Sequence, residues 1–214
     1  MSSFRFEEKK GIYRIVVLGF VMVVFFVGTG LYKVQLEKQQ QLGEQLSKKV
    51  LRFHVLANSD SIEDQALKLQ VRDAIGSFMQ EKLENIEDKA ACKEVVVAEL
   101  EEIERIAGAV IADNGYSYEV VAGLTECEFP TKTYGEYTFP AGTYEALRVT
   151  IGAGAGANWW CVMYPNMCFE NSVYEVVDEN AKNALRKVLE EEEYEAVIAS
   201  GKYEIRLRFL EFFR

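Results

Sequence analysis

The sequence contains little of what metal and nucleic-acid sites require. It has one histidine, His54, and four cysteines without a CxxC pair. A structural zinc site normally takes four Cys or His ligands at short spacings, so neither a metal nor another cofactor is expected. The formal net charge is −10, and residues 1–32 carry four cationic and two anionic side chains, so the remaining chain carries −12. Nucleic-acid binding depends on neutralising phosphates, so no nucleic-acid partner is expected.

The sequence also lacks a complete phosphate-binding loop. Gly152, Gly154 and Gly156 form a GxGxG pattern, whereas the dinucleotide fingerprint is GxGxxG and the P-loop continues into Lys and Ser or Thr. Two adjacent tryptophans, Trp159 and Trp160, follow where an anion site would need the start of a helix. We therefore predict no small-molecule substrate, and interpret the glycines as places where the backbone lies close beneath the tryptophan pair.

One long uncharged run is present, at residues 15–32. A helix of this length covers about 27 Å, close to the hydrocarbon thickness of a bilayer. The positive flank in residues 1–14 predicts a cytoplasmic tail, with the rest of the chain exported. The run is predicted to be a signal peptide or a signal anchor, and the lack of a clear cleavage site favours the anchor. Residues 33–49 are predicted to form a polar stalk, and residues 50–214 a single extracytoplasmic domain.

Hydrophobic periodicity predicts an α+β domain with a mainly antiparallel sheet packed against two to three helices. Ser61 followed by Asp64 resembles a capping box at a helix start. The acidic block 190–193 is predicted to be a solvated helix end. The predicted strands are 50–56, 116–122, an irregular hairpin over 126–140, 144–151 and 203–212, and the predicted helices are 61–83, 88–112 and 177–192.

A catalytic interpretation must use His54, since it is the sole histidine. Cys161 or Ser59 would be the nucleophile, and Asp60 or Asp73 would orient the base. A structural role for these residues is favoured over a catalytic one. Cys161 lies in an aromatic segment predicted to be a buried strand, whereas a reactive thiolate is usually found at a helix N-terminus or in an electropositive pocket. In that alternative His54 is a buried or half-buried side chain.

Two further sets of residues have structural interpretations. Cys161 and Cys168 flank a Pro165-Asn166 turn, and the sequence is compatible either with a disulfide or with two free buried thiols. Arg72 and Asp73 are predicted to belong to a polar network at the strand–helix junction.

Two long segments resemble a known family. RFHVLANSDSIEDQALKLQVRD, at 52–73, and FPAGTYEALRVTIGAGAGANWWCVMYPNMCF, at 139–169, are similar to stage II sporulation protein R. This chain has Pro165-Asn166-Met167-Cys168 where the family tends to have Pro-Pro-Leu-Cys.

The resemblance implies a signalling protein of endospore-forming bacteria and not an enzyme. Such a protein is exported from the forespore into the intermembrane space, where it is membrane-anchored or secreted. There it activates a membrane-embedded aspartic protease of the mother cell, which removes the pro-sequence of a sigma factor. The alternative function is a secreted cell-wall or thiol hydrolase that uses His54 and Cys161. The residues predicted to contact the partner are Trp159, Trp160, Asn158, His54, Asn58 and Asp60.

Overall fold

The N-terminal part of the fold is one long helix. The computed structural model describes residues 2–167 and 179–199. Helix α1 runs from Ser2 to Lys49. Within it, Val17–Lys49 includes a window of mean hydropathy 2.0, long and apolar enough to cross a membrane. Such a helix near the N-terminus has the length and composition of a signal sequence or a membrane anchor.

The last turns of α1 belong to the domain that follows. Contacts divide the chain into 1–41 and 42–214. Leu42 and Leu46 are buried in the hydrophobic core of the second unit. The polar segment 33–49 is therefore helical throughout, and its final two turns are part of the domain core.

Six described strands form two sheets: β1 (Leu51–Leu56), β2 (Val120–Phe129), β3 (Lys132–Tyr134), β4 (Tyr137–Phe139), β5 (Gly142–Ile151) and β6 (Asn158–Tyr164). The larger sheet has the order β2-β5-β1-β6, and β3 and β4 form a separate hairpin. The β1–β5 pair is parallel, while the β1–β6 and β2–β5 pairs are antiparallel. The predicted α+β class is confirmed.

The described helices of the domain are α2 (Ile62–Leu83), α3 (Lys89–Ala98), α4 (Leu100–Asp113), α5 (Glu179–Val188) and a helical stretch over 191–199. Helix α2 begins as predicted, because the Ser61 hydroxyl accepts a hydrogen bond from the Asp64 N–H at 3.1 Å. Gly115, with φ +81°, follows the end of α4 in the left-handed conformation that glycine favours.

The prediction of one helix over 88–112 is wrong, since α3 and α4 are separate. The break lies at Glu99, whose φ of −102° and ψ of 6° leave the helical region. The hydrophobic pattern conceals this break. Val96 and Ile103 are both buried, and they are seven residues apart, which is two helical turns.

The acidic block was also assigned to the wrong end of a helix. Helix α5 ends at Val188, and the next helical stretch begins at 191. The Glu193 carboxylate accepts a hydrogen bond from the Glu190 N–H at 2.9 Å. It also pairs with Lys49 Nζ at 2.7 Å. Acidic side chains at a helix start are stabilised by the helix dipole.

The strand boundaries differ from the prediction mainly in β2. This strand begins at Val120, not at 116, and continues to Phe129 through the start of the predicted hairpin. The hairpin itself is the β3–β4 pair, and Gly135 in its turn has a φ of +59°. The predicted strand 203–212 lies outside the described residues.

The two faces of the larger sheet carry different side chains. Along β1, Phe53 and Val55 point to the face that packs on the helices, and Arg52 and His54 point to the other. We call these the inner face and the outer face. The inner face meets a helical core of Leu67, Val71, Ile75, Met79, Cys92, Val96, Ile103, Ala107 and Ile111.

We expect Leu46→Ala to lower the free energy of unfolding of the domain by about 2–5 kcal/mol, because Leu46 is fully buried in its core. Gln45→Ala is the matched control. Gln45 is the exposed neighbour of Leu46, so its substitution should leave the stability of the domain unchanged. Urea unfolding of the full chain in detergent measures both. Equal stability of the two variants would contradict the assignment of these turns to the domain.

Candidate functional site

One row of residues crosses all four strands of the larger sheet. Arg148 on β5 is the register partner of His54 on β1 and of Gly123 on β2, and His54 is the partner of Trp160 on β6. Directly paired residues in neighbouring strands point to the same face. The row therefore places a cation, an imidazole and an indole side by side on the outer face.

His54 and Trp160 form a stacked pair within this row. Their ring centroids are 3.8 Å apart, and the ring planes differ by 15°. The edge of Phe129 packs against both rings, at 5.7 Å from His54 and 4.6 Å from Trp160. His54 is 5% exposed, while Trp160 is half-buried. The outer side of the stack is therefore formed by the indole.

The environment of His54 keeps the imidazole neutral. Burial lowers the pKa of His54 to about 4, and the charges of Arg148 and Arg52 act in the same direction. Neither ring nitrogen makes a hydrogen bond within the described part of the chain, although Asn158 lies close enough to oppose the shift. A general base is most effective when its pKa is near the working pH, so His54 is poorly suited to that role at pH 7.

Trp159 points away from Trp160, into the inner face. It is 8% exposed and packs edge-to-face on Phe53, with ring centroids 5.3 Å apart. The guanidinium of Arg72 lies 5.1 Å from the centre of its indole. Arg72 also pairs with Asp73, at 2.6 Å. The Arg72–Asp73 ion pair thus lies against a core tryptophan. Little of the Trp159 side chain is left exposed for a partner.

Cys161 and His54 lie on opposite faces. Cys161 is the register partner of Phe53, an inner-face residue, and not of His54. The two side chains therefore have the sheet backbone between them and cannot form a nucleophile–base pair. The Ser59 hydroxyl is engaged elsewhere, since it donates a hydrogen bond to the Asp64 carboxylate at 2.5 Å.

A buried arginine joins the outer face to the β3–β4 hairpin. Arg52 is fully buried, and its Nε donates to the Cys161 carbonyl at 2.9 Å. Its Nη2 donates to the Tyr134 hydroxyl at 3.0 Å, and that hydroxyl donates to the Trp160 carbonyl. The guanidinium lies within 6 Å of four aromatic rings: Phe129, Tyr134, Phe139 and Tyr144. Cation–π contacts of this kind stabilise a buried guanidinium.

At the end of β1, the loop 57–61 is held by the first turn of α2. The Asp64 carboxylate accepts hydrogen bonds from the Asn58 amide at 2.8 Å and from the Ser59 hydroxyl. These two bonds are the main reason that the pKa of Asp64 is lowered. Sequence reasoning identified Asp64 only as a capping residue, because the capping pattern does not reveal that its carboxylate faces the preceding loop.

The same loop is bonded to the glycine-rich loop 152–157. The Asn58 Oδ1 accepts from the Ala153 N–H at 3.0 Å, and the Asp60 carboxylate accepts from the Ala157 N–H at 2.5 Å. Backbone carbonyls of Ala57 and Asn58 accept from Gly156 and from Ala155. We call loops 57–61 and 152–157 together the loop clasp.

Two residues of α2 complete the loop clasp. Lys68 Nζ donates to the Ala157 carbonyl at 2.9 Å, and Gln65 Nε2 donates to the Ser59 carbonyl at the same distance. Sequence analysis did not identify these two residues, because they have the pattern of ordinary polar positions on an amphipathic helix. Each lies one helical turn after Ser61 or Asp64, and this spacing could have predicted that they face the loop.

The glycines are explained by the loop clasp and not by the tryptophans. A Cβ on Gly156 would collide with the Ser59 carbonyl, and one on Gly152 would collide with the Asn58 amide. Gly152 and Gly154 also have φ values of +54° and +60°. The interpretation that this backbone lies beneath the Trp159–Trp160 pair is therefore wrong. Larger residues would separate the two loops.

The cysteines show no sign of thiol chemistry in the described residues. Cys92 and Cys127 are free and buried. Burial raises the pKa of Cys92 to about 12, which keeps that thiol protonated and unreactive at neutral pH. Cys161 is disulfide-bonded, so it is not a free nucleophile. Cys168 lies outside the described residues, so its pairing with Cys161 stays a prediction.

No described cavity gathers the predicted site residues. A groove of about 740 Å³ lies between the α2–α3 connection, the end of β6 and α5, and Tyr164 and Lys187 are among its lining residues. It contains none of the residues predicted to contact a partner. Across residues 2–167 and 179–199, no group of three His, Cys, Asp or Glu side chains is placed to hold a metal ion.

The loop clasp and the outer-face row both fall in a region that matches a known family. A family model described as stage II sporulation protein R (spore_II_R) matches residues 47–174. The chain belongs to this family. A curated relative, "Stage II sporulation protein R" of Bacillus subtilis (strain 168), is 38% identical over 147 residues, which cover 66% of this chain and 66% of the relative. No solved structure matches the chain.

The family assignment confirms the resemblance of the two sequence segments and places the chain among sporulation proteins. The matched region includes every described strand, together with α2, α3 and α4. The segments that carry the resemblance, 52–73 and 139–169, supply both loops of the clasp.

We expect Gly156→Ala to destabilise the domain by about 1–3 kcal/mol, because its Cβ would be forced against a backbone carbonyl that cannot move freely. Gly123→Ala is the matched control, since nothing lies within 4 Å of the Cβ that it would add. Chemical unfolding compares the two. Equal destabilisation would contradict the loop-clasp explanation of the glycines.

We expect His54→Phe to weaken the pH dependence of stability. In the folded chain the pKa is about 4, against an ordinary value of 6.5. As the pH falls below 6.5, the unfolded chain therefore takes up a proton that the folded chain does not. Wild-type stability should fall by about 2–3 kcal/mol between pH 6.5 and 4 through this group, then level off.

Urea unfolding at pH 7.5, 5.5 and 4.5 measures the effect, and the phenyl ring preserves the stack on Trp160. Because His54 is the sole histidine, no other imidazole contributes. If the wild type and His54→Phe lose stability equally as the pH falls, His54 is solvated in the folded chain and the prediction is wrong.

Proposed function

We propose that this chain is an exported sporulation signal that activates a membrane-embedded aspartic protease in the neighbouring mother cell. The activated protease would remove the pro-sequence of a sigma factor. The observation that carries the proposal is the family match over 47–174, joined to an apolar helix that precedes the matched domain. A signal of this kind needs an export segment and a recognition surface but no catalytic centre.

The proposed location follows from the same features. The N-terminal helix directs export from the forespore, and the acidic domain acts in the intermembrane space, either membrane-anchored or secreted. The proposed partner spans the opposite membrane, so the contact would form between the exported domain and the protease's extracytoplasmic segments. Binding would activate the protease through higher affinity for its active state than for its inactive state.

The hydrolase alternative is disfavoured by the positions of its two essential residues. A thiol hydrolase would need Cys161 and His54 within hydrogen-bond reach, and they occupy opposite faces of the sheet. A neutral, stacked imidazole is likewise unsuited to activate a nucleophile near pH 7.

Within the predicted partner-binding set, the outer face is the better candidate surface. Asn158 is exposed, Trp160 is half-buried, and His54 lies stacked on Trp160. Trp is enriched at the positions that dominate binding energy. Asn58 and Asp60 are engaged in the loop clasp, so we assign them a supporting role in holding the end of β6.

We expect Trp160→Ala to reduce pro-sigma processing strongly while the domain stays folded. Trp159→Ala should instead unfold the domain, at a cost of about 3–5 kcal/mol, because Trp159 belongs to the core. Processing is measured by immunoblot in sporulating cells that carry the variant as their sole copy, and folding by thermal unfolding of the purified full chain.

Phe78→Ala serves as the control, since Phe78 is a half-buried aromatic residue on α2. Any loss of pro-sigma processing in this variant should be no larger than its loss of thermal stability accounts for. A folded Trp160→Ala protein that supports wild-type processing would overturn the role of Trp160. A wild-type chain that fails to restore processing in a deletion strain would overturn the proposed function itself.

A further inference from the structure

Part of the outer face is left uncovered by the described residues of the domain. Towards the hairpin, the outer-face residues Cys127, Tyr144, Ala146 and Arg52 are all buried. Towards the loop clasp, Val121, Arg148 and Asn158 are exposed, and on β2 the exposure extends to Thr125, which lies in the same row as Ala146 and Arg52. The change occurs within single strands, so it reflects where the β3–β4 hairpin ends and not a change of sheet face. We call the uncovered half the open patch.

A free cation lies at the centre of the open patch. Several cationic side chains of this acidic domain, including Lys49, Lys89 and Lys93, have a carboxylate oxygen within 3 Å. Arg148 has no such partner among residues 2–167 and 179–199. Its guanidinium stands beside His54, which is held neutral and contributes no charge. Residues 33–214 carry a net charge of −12, yet within the described residues Arg148 has no carboxylate partner on this exposed part of the sheet.

The surface beside Arg148 has room for a side chain. Its register partner on β2 is Gly123, and no atom lies within 4 Å of where a Cβ of Gly123 would be. Exposed Val121 and Thr125 stand on either side of that gap along the strand. Trp160 supplies an apolar wall two strands away. The open patch therefore combines a depression, a cation and an indole within one row.

We propose that the open patch docks an acidic segment of the partner, with a partner Asp or Glu paired to Arg148 and an apolar partner side chain against Trp160. Charge complementarity selects this occupant, because an arginine without a carboxylate matches a carboxylate in a bidentate contact. This inference rests on the proposed function, in which the partner is the protease's extracytoplasmic part.

The test is charge reversal at Arg148 in the full-length chain, expressed as the sole copy in sporulating cells. Arg148→Glu should reduce the rate of pro-sigma processing by about tenfold or more, since a repelled carboxylate opposes docking. Arg148→Lys should retain most activity. Arg105→Glu makes the same change in charge at an exposed position on α4 and should process at the wild-type rate. Thermal unfolding of each purified chain confirms that the fold is unchanged.

A photo-crosslinking residue at Thr125 identifies the occupant, and one at exposed Val97 on α3 is the control. A Thr125-specific adduct with an acidic extracytoplasmic segment of the protease supports the proposal, and reversing that partner charge should restore signalling by Arg148→Glu. Adducts with lipid or with a second copy of the chain would overturn it, as would wild-type processing by Arg148→Glu. In each of those outcomes the wild-type chain still activates processing, so the proposed function would stand.

Discussion

Strand β1 is the element on which the rest of the structure depends. It is central in the larger sheet, with β5 on one side and β6 on the other. Its six consecutive residues are all buried, so neither face of the strand is solvated. The side chains that alternate between the two faces must therefore fit two different buried environments. Phe53 and Val55 enter the helical core, while Arg52 and His54 enter an aromatic layer of moderate polarity. A one-residue slip would place a guanidinium in the helical core and a phenyl ring at the hairpin, and the cost of burying an unmatched charge forbids this register.

The end of β1 explains why two distant sequence segments have such unusual compositions. The chain leaves β1 through Asn58, Ser59 and Asp60, and it enters β6 through the glycine-rich loop. Each loop supplies hydrogen-bond partners to the other, and side chains of α2 supply the rest. Buried polar networks of this kind are stable when every member is satisfied. The clasp thereby fixes where β6 begins, and with it the alternation that sends Trp159 inward and Trp160 outward.

Sequence reasoning succeeded where local patterns decide the structure. The helix start at Ser61, the strand at β1 and the α+β class follow from capping and periodicity, and those signals are local. It failed where a local pattern is compatible with two structures. The apolar stripe stays in phase across Glu99, and a run of glutamates suits either end of a helix until Lys49 is placed beside Glu193. The pairing of strands, which separates Cys161 from His54, is a long-range property that periodicity does not encode. Arg148 escaped attention for the same reason, since its place in the row depends on three strand pairings.

The stack of His54 on Trp160 has a spectroscopic consequence. Because the chain has one imidazole, its ring protons give a single isolated pair of NMR signals, and the indole ring current at 3.8 Å moves them away from the positions of a solvated histidine. A molecule that binds against Trp160 and shifts its indole relative to His54 changes these signals. The protein therefore contains its own resonance probe for occupancy of this surface, without isotope-selective labelling or an attached dye.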